Sequence, residues 1–144
     1  MKLFTPLLAL LIVATSMAQE VPETIFNRWK EKVDPSVERG LDFLARIQQD
    51  DGSFPENYGT STGIPALAGM AFLSRGHLPT EGKYAETLTR IIDYILAHQD
   101  RQGLYQAGHG GSGPMYAHNI ATLFISEVSG MVDPERQKKI GESL

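Results

Sequence analysis

The sequence predicts an all-α protein made of consecutive helical hairpins, and three observations carry that expectation. The stretch VERGLDFLARIQQDDGSF, from Val37 to Phe54, returns 51 residues later as LTRIIDYILAHQDRQGLY, from Leu88 to Tyr105. In this register Arg39, Asp42, Gln48 and Gly52 meet Arg90, Asp93, Gln99 and Gly103, while Leu41/Ile92, Phe43/Tyr94, Leu44/Ile95 and Phe54/Tyr105 keep their character. Self-similarity at a fixed period of about 50 residues marks stacked helical or propeller units. The second observation is that apolar residues recur at helical spacing in both copies. The third is punctuation: each copy ends on a glycine, and a polar loop then leads into a small-residue apolar stretch.

The 144 residues are 42% hydrophobic and 21% charged, the composition of one ordinary globular domain. A formal net charge of −4 argues against nucleic acid as a partner, because phosphate binding needs a basic face. With no cysteine, neither disulfides nor thiolate chemistry are open to the chain.

Taken in order, residues 1–18 read as a signal peptide. Lys2 precedes an apolar run from Leu7 to Ala14, and Ser16-Met17-Ala18 offers small residues for cleavage after Ala18. The run is too short for a membrane-spanning helix, which needs about 20 residues. Export to the periplasm or the outside is therefore expected. Residues 19–34 form an arm broken at Pro22 and then a short helix, with Ile25, Phe26, Trp29 and Val33 near one side. Trp29 is expected to be buried there as an anchor.

Asp34-Pro35 predicts a helix start, since an aspartate caps free N–H groups and proline tolerates the first turn. From Val37 the positions Val37, Leu41, Phe43, Leu44 and Ile47 are read as the buried side of an amphipathic helix that stops at Asp50-Asp51-Gly52. The two acids are read as turn residues facing solvent, and Gly52 as left-handed. After the loop Pro55 to Gly63, IPALAGMAFLS from Ile64 to Ser74 is apolar nearly all round and rich in small residues. It predicts a helix buried on most sides. His77 falls in the connector and carries no functional expectation.

The second unit starts near Lys83 and places Tyr84, Leu88, Ile91, Ile92 and Ile95 on one face before ending at Gly103. The loop Gly108 to Met115 leads into a helix from Tyr116 to Ser129. Val132-Asp133-Pro134-Glu135 then writes another helix start. The units are thus 35–79, 80–131 and the opening of a third at 132–144. Carried forward 51 residues from Gln99, the period puts the next glutamine beyond Leu144, so the chain is expected to be the N-terminal piece of a longer protein or a truncated gene product.

The best local site is GHGGSGPMYAHN, which gathers His109, Tyr116, His118 and Asn119 at the start of the helix from Tyr116. Helix N-termini suit anions and carbonyls, and glycines let a ligand approach the backbone. No phosphate-loop spacing is present, and the histidines are not at a helical metal-pair spacing, so no metal and no cofactor are expected. His118 reads as a histidine bonded to a carbonyl, and Glu127 as lying on the wet side of the helix. No strand precedes Gly111-Ser112-Gly113, which removes the nucleophile elbow of serine hydrolases.

Arg39, Gly40, Phe43, Leu44, Gln48, Gly52 and Phe54, and again Arg90, Tyr94, Ile95, Gln99, Gly103 and Tyr105, resemble the QW motif of the squalene-hopene cyclase and protein prenyltransferase superfamily. Phe54 and Tyr105 stand where that motif has tryptophan. The resemblance implies an α/α toroid, incomplete here. Its outer helices would carry the motif, its glutamines would tie helix ends to the neighbouring unit, and the helices after the glycine turns would line a central cavity near His109, Tyr116, His118 and Asn119. The family's chemistry does not follow, because the chain lacks the Asp-x-Asp-Asp acid of the cyclases and the cysteine of the prenyltransferase zinc site.

The resemblance therefore implies a secreted or periplasmic prenyltransferase/squalene-oxidase-type repeat protein, a scaffold or ligand binder without catalysis in this stretch. One alternative is the N-terminal part of a terpenoid cyclase whose acid lies beyond Leu144. Another is a polysaccharide-active or glycan-binding toroid. The partners expected are further units or other copies completing the core, and a lipid or small hydrophobic ligand.

Overall fold

The computed structural model describes residues 23–55, 60–108 and 114–144. They form α1 (Glu23–Ile47), α2 (Gly63–Leu73), α3 (Ala85–Ala97), α4 (Pro114–Val128) and α5 (Pro134–Ser143). Beside the helices, an isolated antiparallel bridge joins Gln99 and Tyr105. The all-α expectation holds for these residues. The expected signal peptide and cleavage site lie outside them.

The chain divides into two compact units, Met1–Asp34 and Pro35–Leu144. In the first, the helix carries Trp29 at 63% exposure, and Val33 is exposed as well. Burial of Trp29 is thus not found: helical spacing lines up an apolar row, but only a covering element buries it. The expected start at Asp34-Pro35 is also corrected, because Pro35 lies inside α1. A proline within a helix forfeits its own N–H bond and crowds the carbonyl four residues back, at about 3 kcal/mol. The Arg, Lys and Glu around it are good helix formers, and the helix runs through.

The second unit packs α2 on α4, α2 on α3 and α3 on α5. At its centre lie Leu88, Ile91, Ile92 and Ile95 of α3, with Phe72 of α2, Phe124, Ile125 and Val128 of α4, and Ile140 of α5, all fully buried. Small residues set the α2–α4 distance. A Cβ on Gly69 would stand 2.3 Å from the Phe124 ring, and one on Gly63 would stand 3.2 Å from the Ala117 Cα. The expected close approach is therefore realised through glycine. Burial of α2 on most sides is realised only in part, since Ile64 and Leu67 face out.

Both motif segments end in the same backbone turn. The Gln49 N–H donates to the Ser53 carbonyl at 2.9 Å and the Gly52 N–H to the Gln49 carbonyl at 3.0 Å. Fifty-one residues on, Asp100 donates to Leu104 at 2.9 Å and Gly103 to Asp100 at 3.0 Å. Gly52 and Gly103 have φ of 92° and 85°, a left-handed conformation that glycine adopts without a Cβ penalty. Asp50 and Asp51 are exposed, and Asp51 accepts from the Ser53 N–H and hydroxyl. α5 opens as its Asp-Pro signal predicts: Asp133 accepts from the N–H groups of Glu135 and Arg136, with proline in the first turn.

Candidate functional site

Two features of the second unit bear on function: the ties that bind α1, α3 and α5, and the open side of α2 and α4. The ties start from the motif glutamines. The Gln48 amide Nε2 donates to the Gly52 carbonyl at 3.3 Å and to the Thr87 carbonyl of α3 at 3.1 Å. The Gln99 Nε2 donates to Gly103 at 3.1 Å and to the Ser143 carbonyl of α5 at 2.7 Å. Each amide closes its own turn and holds the next odd-numbered helix. The Oε1 of Gln48 is buried without a hydrogen-bond partner among the described residues.

Asp42 and Asp93 add a second tie at each step. Asp42 accepts from the Tyr84 hydroxyl at 2.8 Å and pairs with Lys83, just ahead of α3. The Lys83 and Tyr84 hydrogen bonds hold its carboxyl below the usual range. Asp93 takes the guanidinium of Arg136, in the first turn of α5, through Nε at 2.8 Å and Nη2 at 2.7 Å. The hydrogen bonds that Arg136 donates to the Asp93 and Asp133 carboxylates raise its pKa further above an already high range. Between α3 and α5 a cavity of about 520 Å³ is lined by Asp93, Gln99, Arg136, Lys139 and Ser143 among others. Its charges are paired: Arg136 with Asp93 and Asp133, Lys139 with Glu135, and Glu142 with Lys138. It therefore offers no free charge to a ligand.

On the α2/α4 side, the stretch before α2 is fastened to the segment after the second turn. The Thr62 hydroxyl, fully buried, donates to the Tyr105 carbonyl at 2.8 Å, and that of Thr60 to the Ala107 carbonyl at 3.1 Å. The residues expected at the cavity separate here. Tyr116 and Asn119 are exposed on α4, on the same helical row as Leu123. His118 turns the other way. Its Nδ1 accepts from the Tyr105 N–H at 3.2 Å, and its ring lies 5.8 Å from that of Tyr105. The expected carbonyl partner is thus replaced by a backbone donor, because the segment after the turn presents an N–H to α4. That bond leaves any remaining ring proton on Nε2. His109 lies outside the described residues, and Glu127 is exposed as expected.

His77 lies in the connector after α2, as read. It is half-buried, with its ring 4.6 Å from Tyr84, and its Nε2 is buried without a partner among the described residues. Among the described residues, no group of three or more His, Asp or Glu is placed to hold a metal ion. No described helix is long and apolar enough to cross a membrane. Sequence reasoning missed the open row formed by Ile64, Leu67 and Leu123. The available signal was α2 itself, apolar on every side and therefore without a polar face to turn to solvent.

No family model matches the chain, and neither a curated protein nor a solved structure is significantly similar to it.

Proposed function

We propose that this chain is a secreted or periplasmic scaffold of prenyltransferase/squalene-cyclase-type α/α repeats, part of a toroid, with α1, α3 and α5 outside and α2 and α4 inside. Its work is to present the apolar side of α2 and α4 to a partner, without catalysis in this stretch. The observation that carries the reading is the doubled glutamine tie: Gln48 to Thr87 and Gln99 to Ser143, each from a matched position to the next odd-numbered helix. A residue that recurs at a fixed offset and makes the same kind of inter-helix bond is what stacked units need.

Intact mass and N-terminal sequencing of the protein from producing cells test the export. A chain starting at Gln19 in the periplasm or medium supports it, and a cytoplasmic chain retaining Met1 removes it. Incubation with squalene and its epoxide tests the absence of catalysis, since a cyclised product would overturn that part.

A further inference from the structure

We propose that α1 has two start points and that its first part, Glu23–Asp34, is a conditional helix. In one state it is formed, as here; in the other it is released, and Asp34 caps a shorter helix running Pro35–Ile47. The switch stands whether or not α2 and α4 face a partner.

Three observations meet at Asp34-Pro35. The first is the repeat: α3 begins at Ala85, whose match 51 residues earlier is Asp34, and Pro35–Ile47 has the same length as α3. Residues 23–33 match the connector ahead of α3 and not a helix. The second is the boundary between compact units, which falls between Asp34 and Pro35. After it, Leu41 is buried and Val37, Leu44 and Ile47 pack against the core. Before it, Asn27 and every residue from Trp29 to Val33 are exposed, and that consecutive run takes in all sides of a helix. Helices in proteins draw most of their stability from packing, and isolated ones shorter than about 12–15 residues are marginal in water. The segment ahead of Pro35 is at that limit and uncovered.

The third is local chemistry. Reading through Pro35 holds Asp34 in the helical conformation that a following proline disfavours, and it sets the proline ring against the Glu31 carbonyl, to which proline has no N–H to donate. The other Asp-Pro of the chain shows the alternative. Asp133 has an extended backbone, accepts from the N–H groups of Glu135 and Arg136 at 3.1 Å each, and starts α5. Asp34 would serve the N–H groups of Ser36 and Val37 in the same way. The long state thus gains helical bonds over an uncovered segment, and the short state gains a cap and sheds the proline clash.

The switch makes and unmakes an apolar row. Trp29 and Val33, 63% and 46% exposed, are neighbours only while the segment is helical, because residues four apart then share a side. Whatever engages both must also fold the segment.

Residue-resolved amide exchange of the purified chain tests the proposal. The amides of 27–34 should share one low protection factor, under about tenfold, while those of Leu41–Ile47 should be protected at least about a hundredfold more. Pro35→Ala should raise protection across 27–34 by about tenfold or more. Asp34→Ala, which deletes the alternative cap, should raise it by a smaller factor. Neither should move the amides of Leu41–Ile47, which report that the fold is intact.

Protection of 27–34 equal to that of Leu41–Ile47 overturns the switch, because α1 is then one helix throughout. Protection that fades residue by residue toward Glu23 also overturns it, as fraying of an end. So does a Pro35→Ala variant whose segment exchanges as fast as wild type, since Pro35 would then set no balance.

Discussion

The turn at Gly52 and the turn at Gly103 share their backbone hydrogen bonds and their left-handed glycine, yet one is roofed and the other open. Above Gly52 lies α3, so close that a Cβ there would stand 2.2 Å from the Arg90 carbonyl oxygen. A Cβ on Gly103 would meet nothing within 4 Å among the described residues. The aromatic counterparts differ in the opposite sense: Phe43, in the segment that ends at the roofed turn, is 48% exposed with Arg46 over its ring, whereas Tyr94, in the segment that ends at the open turn, is 4% exposed and lies against Gly52. Local sequence sets the turn, and the neighbouring element sets what the turn bears. Matched residues in the two segments should therefore differ in energy while agreeing in geometry.

The widest separation is expected at the glycines. Gly52→Ala must relieve a contact with backbone and a strained φ together, and should destabilise by about 3–5 kcal/mol. Gly103→Ala meets only the φ penalty, about 1–2 kcal/mol. Thermal unfolding of the two variants side by side measures the roof directly. Equal losses would mean that α3 does not press on the first turn. The aromatic pair gives the next largest gap. Tyr94→Ala should cost about 3 kcal/mol as a core truncation, and Phe43→Ala less than about 1 kcal/mol. A Phe43 variant as damaging as that of Tyr94 would show that α1 is covered on that side.

The glutamines sharpen the contrast at a smaller scale. Gln48→Ala removes the tie from the turn after α1 to the first turn of α3, next to fully buried Leu88, and about 1–2 kcal/mol of global stability should go with it. Gln99 instead holds the last turn of α5, where the Tyr105 hydroxyl also donates to Ser143 Oγ at 2.7 Å. Gln99→Ala should cost about 0.5–1 kcal/mol and act locally, as faster amide exchange in α5 with little change in melting. Identical melting shifts for the two would erase the distinction.

How far all this was legible depended on whether the information was local. The turns, the two glycines, the helix start at Asp133-Pro134 and the small residues of α2 are consequences of a few neighbouring residues, and sequence reading found them. Pro35 misled it, because a proline that begins a helix and one that is tolerated inside it share the same local pattern. Phe43 misled it because this apolar residue was counted with the buried side of the helix, whereas it is 48% exposed, off the row of Val37, Leu41 and Leu44. Asp42 and Asp93 matched across the two segments but had no assigned role. Their partners are a lysine and a tyrosine in one case and an arginine in the other, so the tie recurs without a recurring sequence. His118 was read as bonded to a carbonyl, but it serves the Tyr105 N–H, which comes from outside its own helix.

The smallest expected effect concerns the Asp42 tie, and pH separates it from packing. Because its hydrogen bonds with Lys83 and Tyr84 hold the Asp42 carboxyl below its usual range, the ionised form is favoured by folding. A depressed folded pKa contributes stability above the unfolded value, about 3.9 for aspartate, and loses it as pH falls through the folded value. Asp51, Asp100 and Asp133 are lowered as well, by Ser53, by the Leu104 and Gln102 backbone N–H groups, and by Arg136, so the whole protein should lose stability below about pH 4. Asp42→Asn removes one member of that set. Its melting temperature should lie slightly below wild type near pH 6, a small gap because the pair is exposed, and the two curves should converge near pH 2. A gap that persists unchanged at about pH 2 would mean that Asp42 acts through shape rather than charge. The tie between α1 and α3 would then be a packing contact, alike in kind to the Gly52 roof beside it.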